Sequence, residues 1–267
     1  MRPVLFTAFG ADIISAPMLA GVSVLASYLY FRSRREALGL SLEDFWGLML
    51  ALFLGLLSGA VALYAALYGQ GFATNLALTA SRGRVAGGSY FGVFWGAAAA
   101  AFLFCRLKGN RFAVVADTLG GASLLGLVFM RLGCLLHGCC HGRPTSLPWG
   151  VVFDHPLTRV PAGLRGAPLH PTQAYEALGA AAAFLVLHFA VLPRIQDGRM
   201  RPGGAFILSA ALYALLRFAV DFLRGSDPGL LAWAGLTTAQ FLALLTLTAA
   251  AAAGALESSG LPGRGRG

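Results

Sequence analysis

The stretch WGLMLALFLGLLSGAVALYAALY, residues 46–68, runs for 23 residues without a charged side chain. About 20 consecutive apolar residues in a helix are enough to cross the hydrocarbon core of a bilayer, so this stretch predicts a transmembrane helix. Other apolar segments of similar length lie on both sides of it. We therefore expect an all-α integral membrane protein with about seven transmembrane helices, at about 12–30, 46–68, 87–105, 113–137, 172–192, 203–223 and 232–254.

Composition supports a membrane protein. Of 267 residues, 57% are hydrophobic and only 12% are charged, whereas a soluble domain has about a quarter of its residues charged. This excludes an ordinary soluble domain, a coiled coil and a disordered chain. The net charge of +9 is more informative about topology than about nucleic acid, and we expect no nucleic-acid partner.

Charge distribution and local composition predict the organisation of the chain. Basic clusters follow the first, third and fifth predicted spans, which favours an N-terminus outside and a C-terminus inside the cell. Residues 1–257 are expected to form a single transmembrane domain. The last stretch, SSGLPGRGRG at 258–267, is basic and glycine-rich, and we expect it to be disordered.

The sixth predicted span carries a polar stripe. In YALLRFAVDFLRGSDP, residues 213–228, the spacing of Tyr213, Arg217, Asp221 and Arg224 places them on one helical face. An ionisable side chain inside a span costs roughly 2.5–3.5 kcal/mol, which marks it as a functional candidate. Arg217 and Asp221 could simply neutralise each other. Alternatively, two arginines sharing one aspartate leave a guanidinium free for a phosphate, which arginine binds in a bidentate manner.

A second polar segment, RLGCLLHGCCHGRPT, occupies residues 131–145 at the end of the fourth span. If the helix continues, Gly138 and Gly142 share a face with Arg131 and let a substrate or another backbone come close to it. Arg143 then lies just beyond, near the outer membrane surface.

The third polar segment is HPTQAYE, residues 170–176, at the start of the fifth span. His170 precedes the helix, and Gln173, Tyr175 and Glu176 occupy its first turns, where free backbone amides favour an anion. Two alternatives remain: the His–Pro pair only caps the helix, or Glu176 binds Arg131 or Arg217 across the bundle. Together the three segments predict a polar chamber open to the outer side of the membrane, suited to a phospholipid.

These three segments, with GGSYFGVFWG at 87–96, resemble the prolipoprotein diacylglyceryl transferase family over most of the chain. The resemblance implies an enzyme of a bacterial inner membrane, acting in lipoprotein biogenesis, with a chamber open to the periplasm. Its reaction transfers the diacylglyceryl group of phosphatidylglycerol to the lipobox cysteine of a prolipoprotein signal peptide and releases glycerol phosphate. It implies no metal or organic cofactor. Its partners are phosphatidylglycerol, the prolipoprotein and the surrounding membrane lipids.

The resemblance also assigns roles to residues. Arg131 and Arg217 match the two arginines that handle the phosphate. Gly142, Tyr213 and Asp221 match further motif positions, while His170, Gln173, Tyr175 and Glu176 match the HPSQLYE-like segment. The sequence departs from the family at Phe91, which stands where the family has a histidine, and at Cys134, His137 and Cys139, where it has asparagine, asparagine and glutamate.

Because Phe91 cannot exchange protons, either a nearby cation or another imidazole must raise the reactive fraction of the acceptor thiol. His137, His141 and His170 are near the outer face, and His137 is the first candidate because it lies within about two helical turns of Arg131. We therefore predict catalytic roles for Arg131, Arg217, His137 and His170. The predicted substrate-binding residues are Tyr213, Asp221, Arg224, Gly142, Arg143, Gln173, Tyr175, Glu176 and Gly138.

A different class of function also fits the sequence. On a continuous helix Cys134, His137 and His141 span an arc of about 60°, which could hold zinc or copper. Cys134 could instead form a disulfide with Cys139 or Cys140. A catalytically inactive, lipid-binding paralogue with structural cysteines is the remaining alternative.

Overall fold

The computed structural model describes residues 2–8, 11–68, 74, 77, 90–225 and 235–259. An antiparallel strand pair opens the chain, and a second, short pair precedes the last third of it. The elements are β1 (Val4–Ala8), β2 (Ala11–Ile14), α1 (Ser15–Ser33), α2 (Leu42–Tyr68), α3 (Tyr90–Lys108), α4 (Phe112–His137), β3 (Val151–Val152), β4 (Pro168–Leu169), α5 (Thr172–Leu185), α6 (Leu192–Gln196), α7 (Gly204–Asp221) and α8 (Thr238–Ser259); a π-helical turn, Val186–Val191, joins α5 to α6.

Six helical segments among the described residues are long and apolar enough to cross a membrane. They are Leu42–Leu67, Tyr90–Lys108, Phe112–His137, Thr172–Gln196, Gly204–Asp221 and Thr238–Ala255. This confirms an all-α, multi-pass membrane protein. The count of seven spans and the N-out orientation stay predictions.

The first predicted span, about 12–30, differs from the structure at its start. Residues 12–14 lie in β2, because they pair with β1 rather than extend the helix. The helix itself is α1, 19 residues long, and it is not among the six apolar segments. The starts of the third and seventh predicted spans, 87–89 and 232–234, lie outside the described residues.

The chain forms two compact units, residues 30–119 and residues 1–29 with 120–267. In the unit of residues 30–119, α2 packs against α3. Gly55 and Gly59 of α2 face Gly92 and Gly96 of α3, and a Cβ on any of the four would collide with the opposite backbone. Glycines four residues apart allow this close packing of membrane helices.

In the other unit, α7 packs against α8 and α5. The hydroxyls of Ser23 and Ser27 on α1 donate to the carbonyls of Gly126 and Ala122 on α4, over 2.7 and 3.0 Å. Hydroxyls bonded across helices in this way are satisfied without water. Of the predicted tail, Ser258 and Ser259 belong to α8, and 260–267 lie outside the described residues.

The connection between α4 and α5 is folded around a small apolar core of its own. Phe153, Val160 and Leu169 are almost completely buried there, and the partly buried residues Leu135, Val151, Leu164 and Ala167 pack against them. Its strands β3 and β4 pair in antiparallel fashion, Val151 opposite Leu169. This core fixes the chain directly before His170, where the polar segments meet.

Candidate functional site

Helix α4 ends at His137, so the continuous helix that we assumed through residue 142 does not form. Gly138 has a φ of 80°, a left-handed conformation that glycine adopts without a steric penalty. A Cβ at this position would also collide with Thr158 and Phe153. The chain therefore turns back at Gly138, and the residues after it no longer follow the helical spacing from which the arc of Cys134, His137 and His141 was predicted.

Gly142 lies at a junction of the three polar segments. Its amide donates to the carbonyl of His170 over 2.9 Å, and it forms an isolated β-bridge with Arg224. The next amide, of Arg143, donates to the carbonyl of Leu223 over 2.9 Å. A Cβ on Gly142 would lie 2.5 Å from the His170 Cβ and 2.6 Å from the Leu223 carbonyl oxygen. Only glycine allows three backbone segments to meet this closely. The predicted approach was to Arg131 along a continuous helix, whereas the backbone at Gly142 approaches His170 and Leu223.

Glu176 binds three of the four arginines of the polar segments. Its Oε1 accepts from Arg217 and from Arg224, each over 2.8 Å, and its Oε2 lies 2.5 Å from the Nε of Arg131. The Glu176 side chain is completely buried. The alternative in which Glu176 binds across the bundle is thus the arrangement that the structure has.

Asp221 is the second carboxylate of this cluster. Arg217 Nη2 lies 2.8 Å from Asp221 Oδ1, and the hydroxyl of Thr237 donates to Oδ2. We expected two arginines to share this aspartate, but Arg224 reaches Glu176 instead, because α7 ends at Asp221 and Arg224 lies in the bridge with Gly142. Three arginines and two carboxylates leave one excess positive charge.

Thr237 directly precedes α8 and caps it through two hydrogen bonds with Gln240. Its hydroxyl accepts from the amide of Gln240 over 3.1 Å, and the Gln240 side chain accepts from the Thr237 amide over 3.0 Å. This is the capping box of a Thr-x-x-Gln sequence. The same hydroxyl therefore both caps the helix and binds Asp221. We did not predict this role, although the spacing of Thr237 and Gln240 indicates a capping box in the sequence.

A cavity of about 170 Å³ opens beside these charges. The described residues that line it are Cys140, His141, Arg217, Asp221, Arg224, Gly225, Thr237 and Ala239. Arg131 is not in that group, although the same carboxylate holds it. Gly225, Thr237 and Ala239 are the lining residues that sequence reasoning missed.

The three candidate imidazoles have different surroundings. Nδ1 of His141 donates to the carbonyl of Gly142 over 2.8 Å, so Nε2 is the ring nitrogen left to take a proton. The ring lines the cavity. His170 Nδ1 lies 3.5 Å from the hydroxyl of Tyr175, which accepts from Trp149 over 2.8 Å. Nδ1 of His137 is buried without a hydrogen-bond partner among the described residues. Of the three, His141 is the one that lines the cavity together with Arg217 and Arg224.

The other predicted residues divide between the interior and the surface. Tyr213 and Gln173 are buried, and Gln173 Nε2 donates to the Cys139 carbonyl over 2.7 Å. Arg143 is exposed next to the junction. Phe91 is buried in α3, within the unit of residues 30–119.

All four cysteines are free thiols, so the alternative of a disulfide from Cys134 to Cys139 or Cys140 is not formed. The Sγ atoms of Cys134, Cys139 and Cys140 lie within 4.8 Å of one another. Hydrogen bonds from the other two thiols lower the pKa of Cys140, and the charges of Arg131 and Arg224 lower it further. Hydrogen bonds with Cys134 and Cys140 raise the pKa of Cys139, and burial raises it further.

Arg224 has an unusual environment for a guanidinium. Burial lowers its pKa, and the positive charge of Arg217 lowers it further. Its Nε is buried without a hydrogen-bond partner among the described residues. A buried donor in this state is stabilised by an acceptor with negative charge.

Comparison with known proteins shows to which family the chain belongs. The family model described as prolipoprotein diacylglyceryl transferase matches residues 3–255. The chain belongs to this family. The resemblance of its three polar segments is thereby confirmed.

Relatives in the prolipoprotein diacylglyceryl transferase family cover most of the chain. A phosphatidylglycerol–prolipoprotein diacylglyceryl transferase of Clostridium tetani is 29% identical over 247 residues, which are 92% of this chain and 94% of the relative. The protein of that name from Geobacter sulfurreducens is 32% identical over 213 residues, 78% of this chain and 77% of its own. One from Solidesulfovibrio magneticus is 40% identical over 161 residues, 59% of this chain and 57% of its own.

Proposed function

We propose that this protein transfers the diacylglyceryl group of phosphatidylglycerol to the lipobox cysteine of a prolipoprotein and releases glycerol phosphate. The observation that carries the proposal is the excess positive charge of Arg131, Arg217 and Arg224 around Glu176, beside a cavity. The names of the relatives support it and favour it over a function based on a metal or thiol-redox site. The site of action is the outer side of a bacterial inner membrane, with the N-terminus outside.

The reaction joins the acceptor sulfur to a glyceryl carbon and breaks the bond between that carbon and the phosphate oxygen. The phosphate leaves as glycerol phosphate and gains negative charge as the bond breaks. Arg217 and Arg224 line the cavity, where their guanidinium groups stabilise that charge. The buried Nε of Arg224 is a donor available for a phosphate oxygen.

Arg131 and Glu176 position this pair. Glu176 fixes Arg217 and Arg224 through one oxygen and Arg131 through the other. Side chains fixed in this way need little reorganisation when charge develops, which is the main source of electrostatic catalysis. Asp221 and Thr237 hold Arg217 from the other side.

The thiol proton of the acceptor passes to His141 in this proposal. A free thiol has a pKa of about 8.5 and is mostly protonated at neutral pH, so a base increases the reactive fraction. His141 lines the cavity and presents Nε2 as an acceptor. It replaces His137 as our first candidate, while His170 and Tyr175 position the segment before α5.

The remaining predicted residues bind or shape the substrate site. Exposed Arg143, next to the junction, attracts the lipid headgroup, and buried Tyr213 packs within the polar cluster. Gly138, Gly142 and Gln173 hold the backbone that carries His141 and Arg143.

The test uses purified protein in detergent, phosphatidylglycerol labelled in its headgroup, and a lipobox peptide. We expect released glycerol phosphate in step with diacylglyceryl attached to the peptide cysteine, and no release with a peptide in which serine replaces that cysteine. Folded protein that binds the lipid but yields neither product would contradict the proposal.

A further inference from the structure

We propose that Cys134, Cys139 and Cys140 form a three-thiolate binding site for a thiophilic cation of the Zn²⁺ or Cu⁺ class. The proposed transfer does not use this site, and the resemblance to the family implies no metal. The set also differs from the Cys134, His137 and His141 arc, because the chain turns back at Gly138.

The spacing of the sulfurs fits one ion. The three Sγ atoms lie within 4.8 Å of one another. With Zn–S bonds of about 2.3 Å, three sulfurs around one ion stand roughly 3.7–4.0 Å apart, so small side-chain rotations suffice. Thiolates select soft cations such as Zn²⁺ and Cu⁺ over Mg²⁺ and Ca²⁺.

The backbone that carries the sulfurs is fixed before an ion binds. Cys140 has a φ of 61°, the one positive value among the described residues that are not glycine. Its carbonyl accepts from the hydroxyl of Thr172 over 2.7 Å, and the Cys139 carbonyl accepts from Gln173 over the same distance. A cysteine in this conformation costs free energy that the surrounding structure must supply, a feature common at ligand sites.

Charge and access also suit the site. Three thiolates around one Zn²⁺ carry a net charge of minus one. Arg224, which lines the same cavity as Cys140, favours that charge. Cys140 is exposed and lines the cavity, which gives the ion an entry path and leaves room for an external fourth ligand.

The experiment titrates the full-length protein, purified in detergent with a non-thiol reductant and stripped of metal by a chelator. Co²⁺ is the probe, because cobalt–thiolate bonds give intense near-ultraviolet absorption. We expect one Co²⁺ per chain, displaced by one Zn²⁺. A parallel titration with Cu⁺ against a competing chelator determines which cation binds more tightly.

Single variants identify the ligands. Cys134→Ser, Cys139→Ser and Cys140→Ser should each weaken Co²⁺ affinity at least about tenfold and reduce the thiolate absorption. Cys105→Ser is the matched control, because Cys105 is buried in α3 within the other unit, and it should bind as the unmodified protein does. Thermal unfolding of each variant establishes that it is folded.

The proposal fails if the unmodified, reduced protein gives no thiolate absorption with Co²⁺ and no stoichiometric Cu⁺. It also fails if all three variants retain full affinity, or if Cys105→Ser loses as much as they do. Since the readout is metal binding rather than lipid transfer, each outcome is independent of the proposed transferase activity.

Discussion

Arg217 on α7 donates to the completely buried carboxylate of Glu176 on α5 over 2.8 Å, across a sequence separation of 41 residues. Arg224 binds the same oxygen, and Arg131 binds the other. One carboxylate therefore joins the polar ends of α4, α5 and α7. Both the site and the packing of these helices depend on Glu176, so a substitution of Glu176 tests both.

Replacing Glu176 with glutamine should lower stability sharply. The variant keeps the shape but removes the buried charge that three arginines share, and removing one partner of a buried ion pair costs about 3–5 kcal/mol. Thermal unfolding in detergent measures the loss. The control is Asp44→Asn, which breaks the surface pair with Lys108 at 3.3 Å and should cost far less, because surface ion pairs contribute little to stability. Equal effects of the two variants would contradict the role of Glu176.

Gly142→Ala should destabilise the protein and reduce transfer. The added Cβ would meet the His170 Cβ at 2.5 Å and the Leu223 carbonyl at 2.6 Å, so two backbone segments must move, at a cost of about 1–3 kcal/mol. Gly163→Ala is the matched control, because nothing lies within 4 Å of its added Cβ. Melting temperatures of the two variants give the comparison. A Gly142→Ala protein as stable as the control would show that the junction tolerates a side chain.

The hydroxyl of Thr237 should affect both stability and turnover. Thr237→Val removes the cap of α8 and the donor to Asp221, and loss of a cap costs about 1 kcal/mol. Thr237→Ser restores both bonds and should recover most of the lost transfer rate. Thr248→Val, which removes an exposed hydroxyl from the same helix, should change neither property. A serine variant as impaired as the valine variant would rule out the hydroxyl as the cause.

His141→Ala should slow lipid transfer by roughly 10²–10⁴-fold if His141 accepts the thiol proton. His137→Ala should have a smaller effect on rate, since His137 is not among the described residues that line the cavity. His155→Ala, in the loop after β3, serves as the control. Turnover of a lipobox peptide is measured at several pH values, and a His141→Ala enzyme with an unchanged rate would return His137 to first place.

Much of the fold was predictable because membrane helices follow from uninterrupted apolar length. The segment 46–68 became α2, and the span at 113–137 matches α4 almost residue for residue. The first span was placed too early, since strand pairing of residues 12–14 depends on a hairpin partner rather than on hydropathy. The three polar segments were also recognisable, because ionisable residues are rare in such helices.

The geometry of the site was less predictable, and a single glycine explains much of the difference. Helical spacing beyond His137 assumed a continuous helix, but the left-handed Gly138 turns the chain and brings Cys139 and Cys140 to Cys134. The choice of Glu176 over Asp221 as the shared carboxylate depends on how α5 and α7 pack. This pairing depends on tertiary packing, which the spacing of residues within one helix does not predict.

Arg217 is one of the arginines around Glu176 proposed to stabilise the departing phosphate, so Arg217→Gln should slow the transfer. The control is Arg199→Gln, because Arg199 is 72% exposed and pairs with Asp197 on the surface. With both variants folded, we predict a loss of roughly 10²–10³-fold in turnover for Arg217→Gln and an unchanged rate for Arg199→Gln. A folded Arg217→Gln protein that transfers diacylglyceryl at the rate of the unmodified protein would show that Arg217 does not stabilise the departing phosphate.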